Sequence, residues 1–143
     1  MAYWLLKTEP DCWSWDQQKS EGAHGAEWDG VRNYQARNVM RAMVRGDLGL
    51  FYHSGDEKRA VGIVKVVAEA HPDSTDGSGT WECVDIAAVK DLPRPVTLAE
   101  IKANQTLKDM VLVNNSRFSV QPVSAKEWSI ISRLAGLAKK ARS

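Results

Sequence analysis

Hydrophobic and polar positions along the chain fall into short runs whose period identifies the element each one forms. "AYWLLKT" (2–8) is apolar nearly throughout and is closed by "EPD", which predicts a strand covered on both faces. "SWDQQKSEG" (14–22) carries helix formers behind Ser14 and stops at glycine, a short helix capped by that serine. "AHGAEWDG" (23–30) reads as loop, with Asp29-Gly30 as a turn. "NYQARNVMRAMVRGD" (33–47) has the strongest helical pattern, with Asn33 as N-cap and Gly46 as its stop. At about 100° per residue, Ala36, Val39, Met40 and Met43 share the side that faces a core. "LGLFYHS" (48–54) and "AVGIVKVVAEA" (60–70) are strands joined by the hairpin-like "GDEKR". The polar loop "HPDSTDGSGT" (71–80) precedes another strand, "WECVDIAAVKDL" (81–92), and "TLAEIKAN" (97–104) is a helix capped by Thr97. "SVQPV" (119–123) is a strand whose proline assigns it to an edge or a bend. "SAKEWSIISRLAGLA" (124–138) opens with a capping box, Ser124 with Glu127, and is amphipathic. The tail "KKARS" is basic.

The connections are too short for repeated parallel crossovers. The expectation is an α+β fold, a mixed or antiparallel sheet curled into a β-barrel with flanking helices. Its 143 residues fit one domain, 1–138, followed by the tail 139–143. Nineteen basic against eighteen acidic residues leave a formal charge of +1, which argues against a generic coat for polyanions. The two cysteines, Cys12 and Cys83, form no CxxC or Cys/His spacing motif, so neither a metal nor a cofactor is expected. The N-terminal apolar run lacks a basic segment and a cleavage site, and no run approaches the roughly 20 apolar residues of a membrane span. A cytoplasmic, monomeric protein is the expectation.

Six tryptophans are more than one core layer needs, so some are candidates for a pocket. No HExxH, GxSxG, Walker or GxGxxG pattern is present. His53 and Ser54 are neighbours on a strand and point to opposite faces, which disfavours a nucleophile–base pair. "WDGVRNYQARN" (28–38) instead gathers what a flat base requires. Trp28 and Tyr34 could form stacking walls, Asn33 could read an edge, and Arg32, Arg37, Arg41 and Arg45 could hold phosphates. Asn33 is thereby claimed both by the helix cap and by the pocket. In "FYHS", Phe51 and His53 share one face, while Tyr52 and Ser54 share the other.

Five blocks in this order, "YWLLKTEP" (3–10), "WDGVRNYQARN" (28–38), "GDLGLFYHS" (46–54), "VGIVKVVAEAHPD" (61–73) and "RFSVQPVSAKEW" (117–128), resemble the EVE domain, a family that includes the thymocyte nuclear protein group. The resemblance implies a PUA-like fold similar to the YTH domains. It also implies a non-catalytic reader of modified bases, chiefly modified cytosine in DNA or a modified base in RNA. Carried onto this chain, the implied pocket comprises Trp28, Asn33 and Tyr34, with Tyr52, His53 and Ser54 opposite. Lys7 and Glu9 follow as candidates near the same opening, then Arg117 and Gln121. No effector block accompanies these, so such a reader would act alone or through partners. Two alternatives stay open: a small enzyme on modified nucleotides with His53 or Glu9 as general base, and a pocket for a free nucleobase-like metabolite.

Overall fold

The computed structural model describes residues 2–114 and 118–137. Strand β1 (Tyr3–Thr8) leads through helix α1 (Trp15–Ser20) to the two-residue strand β2 (Ala26–Glu27) and helix α2 (Tyr34–Arg41). Strands β3 (Leu48–His53), β4 (Arg59–Pro72) and β5 (Glu82–Thr97) follow as an antiparallel meander. Helices α3 (Leu98–Ala103) and α4 (Val111–Asn114), strand β6 (Val120–Val123) and helix α5 (Ala125–Leu134) complete the order. All six strands join one sheet in the order β2-β5-β4-β3-β1-β6. β1 and β3 run parallel because the segment carrying α1, β2 and α2 crosses between them; every other pairing is antiparallel. The fold is mixed α+β. Among the described residues β2 and β6 do not pair, so these pairings leave the sheet open rather than closed into a barrel.

Both faces of the central strands are buried, as the uninterrupted apolar runs predict. Leu5, Leu50 and Tyr52 point into one core, shared with Ile101, Leu112 and Ile131. Trp4, Leu6 and Phe51 point into the other, which holds Trp15, Trp28, Ala36 and Met40. The predicted caps form: Ser14, Thr97 and Ser124 each make a reciprocal capping box, and Asn33 accepts from Ala36 N–H at 2.9 Å. Pro122 sits on an edge strand, where its missing N–H leaves no ladder bond unmade.

Several elements depart from the sequence pattern. Helix α2 stops at Arg41, six residues short of the expected end at 47. There Asp47, buried, takes the Val44 N–H at 3.0 Å, and Gly46, at φ 96°, donates to Val66 O. Arg45 therefore leaves the helical stripe of Arg37 and Arg41. β4 and β5 outrun their apolar segments, and pairing jumps from Gly62↔Asp91 to Ala60↔Val96, so Pro93 and Pro95 lie in a bulge. The turn at Gln105–Leu107 and α4 had no periodic signal; they are held by Leu107, Met110 and Leu112, all buried.

Candidate functional site

Where β1 ends, the chain turns sharply: Cys12 N–H and Trp13 N–H both donate to Glu9 O, at 2.9 and 3.0 Å. This brings Trp13 beside β2 and opens a cavity of about 310 Å³ lined by Thr8, Cys12, Trp13, Glu21, Ala26, Glu27, Trp28 and Asp29. Trp13 is half-buried, and its Nε1–H donates to Gln18 Oε1 at 2.9 Å. Gln18 is itself buried and donates through Nε2 to Ile86 O at 2.9 Å, so the indole is aimed from β5 through one amide. Trp28 is only 6% exposed; its N–H donates to Val84 O at 2.8 Å, and its ring meets Phe51 edge-on at 5.7 Å. Glu27 accepts from Ser74 N–H and Oγ–H at 3.2 and 2.7 Å. Partial burial, and then the charges of Asp73 and Glu27, hold the Asp29 carboxyl above its ordinary value. The cavity thus joins indole surface to a rim of carboxylates. Carboxylates accept, so such a rim suits an N–H-bearing edge like the exocyclic amine of cytosine.

Beneath this cavity α1 is locked to the sheet. Trp15 N–H donates to His53 Nε2 at 3.0 Å, and Trp15 Nε1–H donates to Asp91 Oδ1 at 2.6 Å. The Trp15 ring lies so close to Gly62 that a Cβ there would stand 2.2 Å from its Cζ2. His53 Nδ1 bonds Glu57 Oε1 at 2.8 Å.

The residues proposed from sequence do not share one site. Trp28 lines the cavity. His53, expected to read a base edge or act as a base, is buried under α1 with both ring nitrogens engaged by the protein. Adjacent residues on β3 alternate sides, which sends Tyr52 and Ser54 to the opposite face of the sheet from Trp28. There they line a second cavity, also about 310 Å³, with Lys7, Lys58 and Lys102. Burial lowers the Lys7 ammonium below its ordinary value and pushes the Tyr52 hydroxyl up to about 12. Lys7 Nζ lies 5.9 Å from the Tyr52 ring. The single pocket expected between Trp28 and Tyr52 is therefore two, one on each side of the β1–β3 ends.

Tyr34 is 60% exposed and stands apart from Trp28, tilted against Trp81 at 4.8 Å. Arg37 lies over both rings, at 4.9 and 5.8 Å, and donates to Thr80 O at 2.9 Å. No acid interrupts the arginine stripe in sequence, but the hairpin linking β4 and β5 supplies two. Arg32 pairs with Asp73 at 3.2 Å and Arg41 with Glu82 at 2.5 Å. Asn33 is exposed and its Oδ1 is spent on the cap. Glu9 is exposed at the β1 turn, its carbonyl holding Cys12 and Trp13. Gln121 is fully buried; Nε2 donates to Phe118 O at 2.7 Å, while Oε1 has no partner among the described residues. Arg117 lies outside the described residues. The sequence reading missed Thr8, Cys12, Trp13, Glu21, Glu27 and Asp29 as cavity residues. Only Trp13 carried a signal, an aromatic directly before the Ser14 cap.

The EVE domain family matches residues 2–134 of the chain. Human thymocyte nuclear protein 1 is 33% identical over 93% of this chain and 73% of its own. The crystal structure of Atu2648 from Agrobacterium tumefaciens superposes with a TM-score of 0.95 at 55% identity, covering 97% of this chain and 96% of that one. Human THYN1 protein in complex with 5-methylcytosine-containing DNA superposes with a TM-score of 0.89 at 34% identity, covering 94% and 98%. With the family matched over nearly its whole length, this chain belongs to the EVE domain family.

Proposed function

We propose that this protein is a non-catalytic module that takes one modified base out of a nucleic acid and holds it in the Trp13–Trp28 cavity. The observation that carries the reading is the joining of indole surface and carboxylates in a cavity of about 310 Å³. That is the small end of the roughly 300–1,000 Å³ range of ligand pockets, a size for one base rather than a dinucleotide. Trp13, the more accessible indole, supplies the stacking face, and Trp28 backs it from the core. Glu21, Glu27 and Asp29 accept from an exocyclic amine, which favours cytosine or adenine over thymine, whose O4 would meet them as a second acceptor. The binding of 5-methylcytosine-containing DNA by the THYN1 relative supports modified cytosine first. Bases that leave the helix cost a few kcal/mol of stacking, so the pocket must repay that before selectivity appears.

Flanking phosphates have two cationic neighbourhoods. Lys7, Lys58 and Lys102 line the cavity across the sheet, and Lys7 precedes Thr8 of the base cavity on β1. Arg37, on α2 and lying over the Tyr34 and Trp81 rings, is the second. The test is a titration with duplex and single-stranded oligonucleotides carrying one 5-methylcytosine, one N6-methyladenine or no modification, in DNA and in RNA. The expected result is at least a tenfold preference for one modified oligonucleotide. A preference of less than threefold for every modification removes the reading.

A further inference from the structure

We propose that Glu27, His71, Cys83 and Asp85 form a binding site for a divalent transition metal of the zinc type, clamping β2 to the β4–β5 hairpin behind the base cavity. Sequence spacing gives no hint of it, because the ligands come from three strands. Strand register brings them together: Glu27 pairs with Asp85, His71 pairs with Cys83, and Cys83 and Asp85 are two apart on β5. One ligand atom from each lies within 4.8 Å of all the others. A tetrahedral zinc ion with ligands roughly 2.0–2.3 Å away sets them about 3.3–3.8 Å apart, so closure needs only side-chain adjustment.

The donor set is specific. One thiol, one imidazole and two carboxylates suit zinc, cobalt or iron(II), and disfavour magnesium and calcium, which take oxygen ligands. His71 is already oriented. Its Nδ1 lies 3.0 Å from Pro72 O, the outer bond that commonly fixes a metal-binding tautomer, and its Nε2 faces Asp85 Oδ1 at 2.7 Å. The surroundings favour a cation. Glu27, Asp29, Asp73 and Asp85 all bear on Cys83, and among the described residues His71 pairs with Asp85 and Arg32 with Asp73. A metal ligates the thiolate, so binding displaces the Cys83 thiol proton. Binding exchanges that proton and the one on His71 Nε2 for the ion. Glu27 then becomes shared between ion and cavity rim, and Trp28, next in the chain, is fixed with it.

The experiment uses the full chain, stripped with a chelator and without oligonucleotide, so its outcome is separate from that of base reading. Cobalt(II) is titrated at neutral pH and followed by absorbance. The expected result is saturation at one equivalent, with a near-ultraviolet thiolate-to-cobalt band and intense visible bands of a tetrahedral ion. Zinc abolishes these bands and raises Tm, whereas magnesium does neither. Cys83→Ser loses the thiolate band. Cys83 is in the core, so His71→Gln, at a half-buried position, serves as the second variant and loses at least tenfold in cobalt affinity. Non-saturating cobalt spectra, or saturation unchanged in His71→Gln, overturns the proposal.

Discussion

Trp13→Ala separates binding from folding at the candidate pocket. The indole is half-buried and makes one hydrogen bond, to Gln18. Losing that bond leaves the buried Gln18 Oε1 without its donor, which costs about 1–3 kcal/mol of stability, while Gln18 Nε2 keeps its bond to Ile86 O. Stacking of a base on an aromatic ring contributes roughly 1–3 kcal/mol, which is about a 5- to 150-fold change in Kd. Trp28→Ala would blur the comparison, because removing a buried indole against Phe51 costs about 3–5 kcal/mol of stability and collapses the wall from behind. Tyr34→Ala is the matched control, an exposed aromatic outside the cavity. Fluorescence anisotropy with a labelled oligonucleotide bearing the preferred modified base, run beside thermal unfolding, reads both quantities. The expected pattern is a Tm lowered by only a few degrees in Trp13→Ala with affinity lost by at least fivefold, and a loss of under threefold in Tyr34→Ala. If Trp13→Ala keeps its Tm and binds within twofold of the parent, the base is not stacked there and the assignment of the cavity is wrong.

Gly62→Ala drives a methyl group into the Trp15 ring and is expected to destabilise by about 1–3 kcal/mol, seen as a lower urea midpoint with unchanged slope. Burial alone would raise Asp47, but bonds from Trp4 Nε1–H, Val44 N–H and Ala2 N–H outweigh it and leave its carboxyl below the ordinary value. A depressed folded pKa gives stability that is full above the unfolded value and is lost as pH falls through the folded one. Asp47→Asn should therefore flatten the decline in unfolding free energy below about pH 4, and an unchanged decline would count against this carboxylate. Lys58→Gln and Lys102→Gln should each make the slope of log K against log salt shallower by about 0.7–0.9, with the modified-to-plain ratio preserved. A changed ratio would move those lysines into base reading.

Much of this protein was determined by local sequence. Capping residues name their helix starts because the hydrogen bonds they make lie within three residues, and Ser14, Asn33, Thr97 and Ser124 all cap as expected. The apolar run of β1 announces a strand buried on both faces, and Pro122 announces an edge or a bend. Tertiary structure decided what depends on distant partners. Helix α2 ends early because Asp47 and Val66 take up the chain after it. Arg32 and Arg41, unopposed in the local sequence, meet Asp73 and Glu82 from a hairpin some forty positions away. His53 looked available until Trp15 and Glu57 engaged its two nitrogens. The two-residue periodicity of β3 already required Phe51 and Tyr52 to diverge, but only the packing of both faces turned that divergence into two cavities. Trp13 entered the site through a backbone turn on Glu9, and Glu27, His71, Cys83 and Asp85 met through strand register. Residue type sets what a side chain can do. Which side chains meet is set by pairings across the sheet, and these have no local signature in the chain.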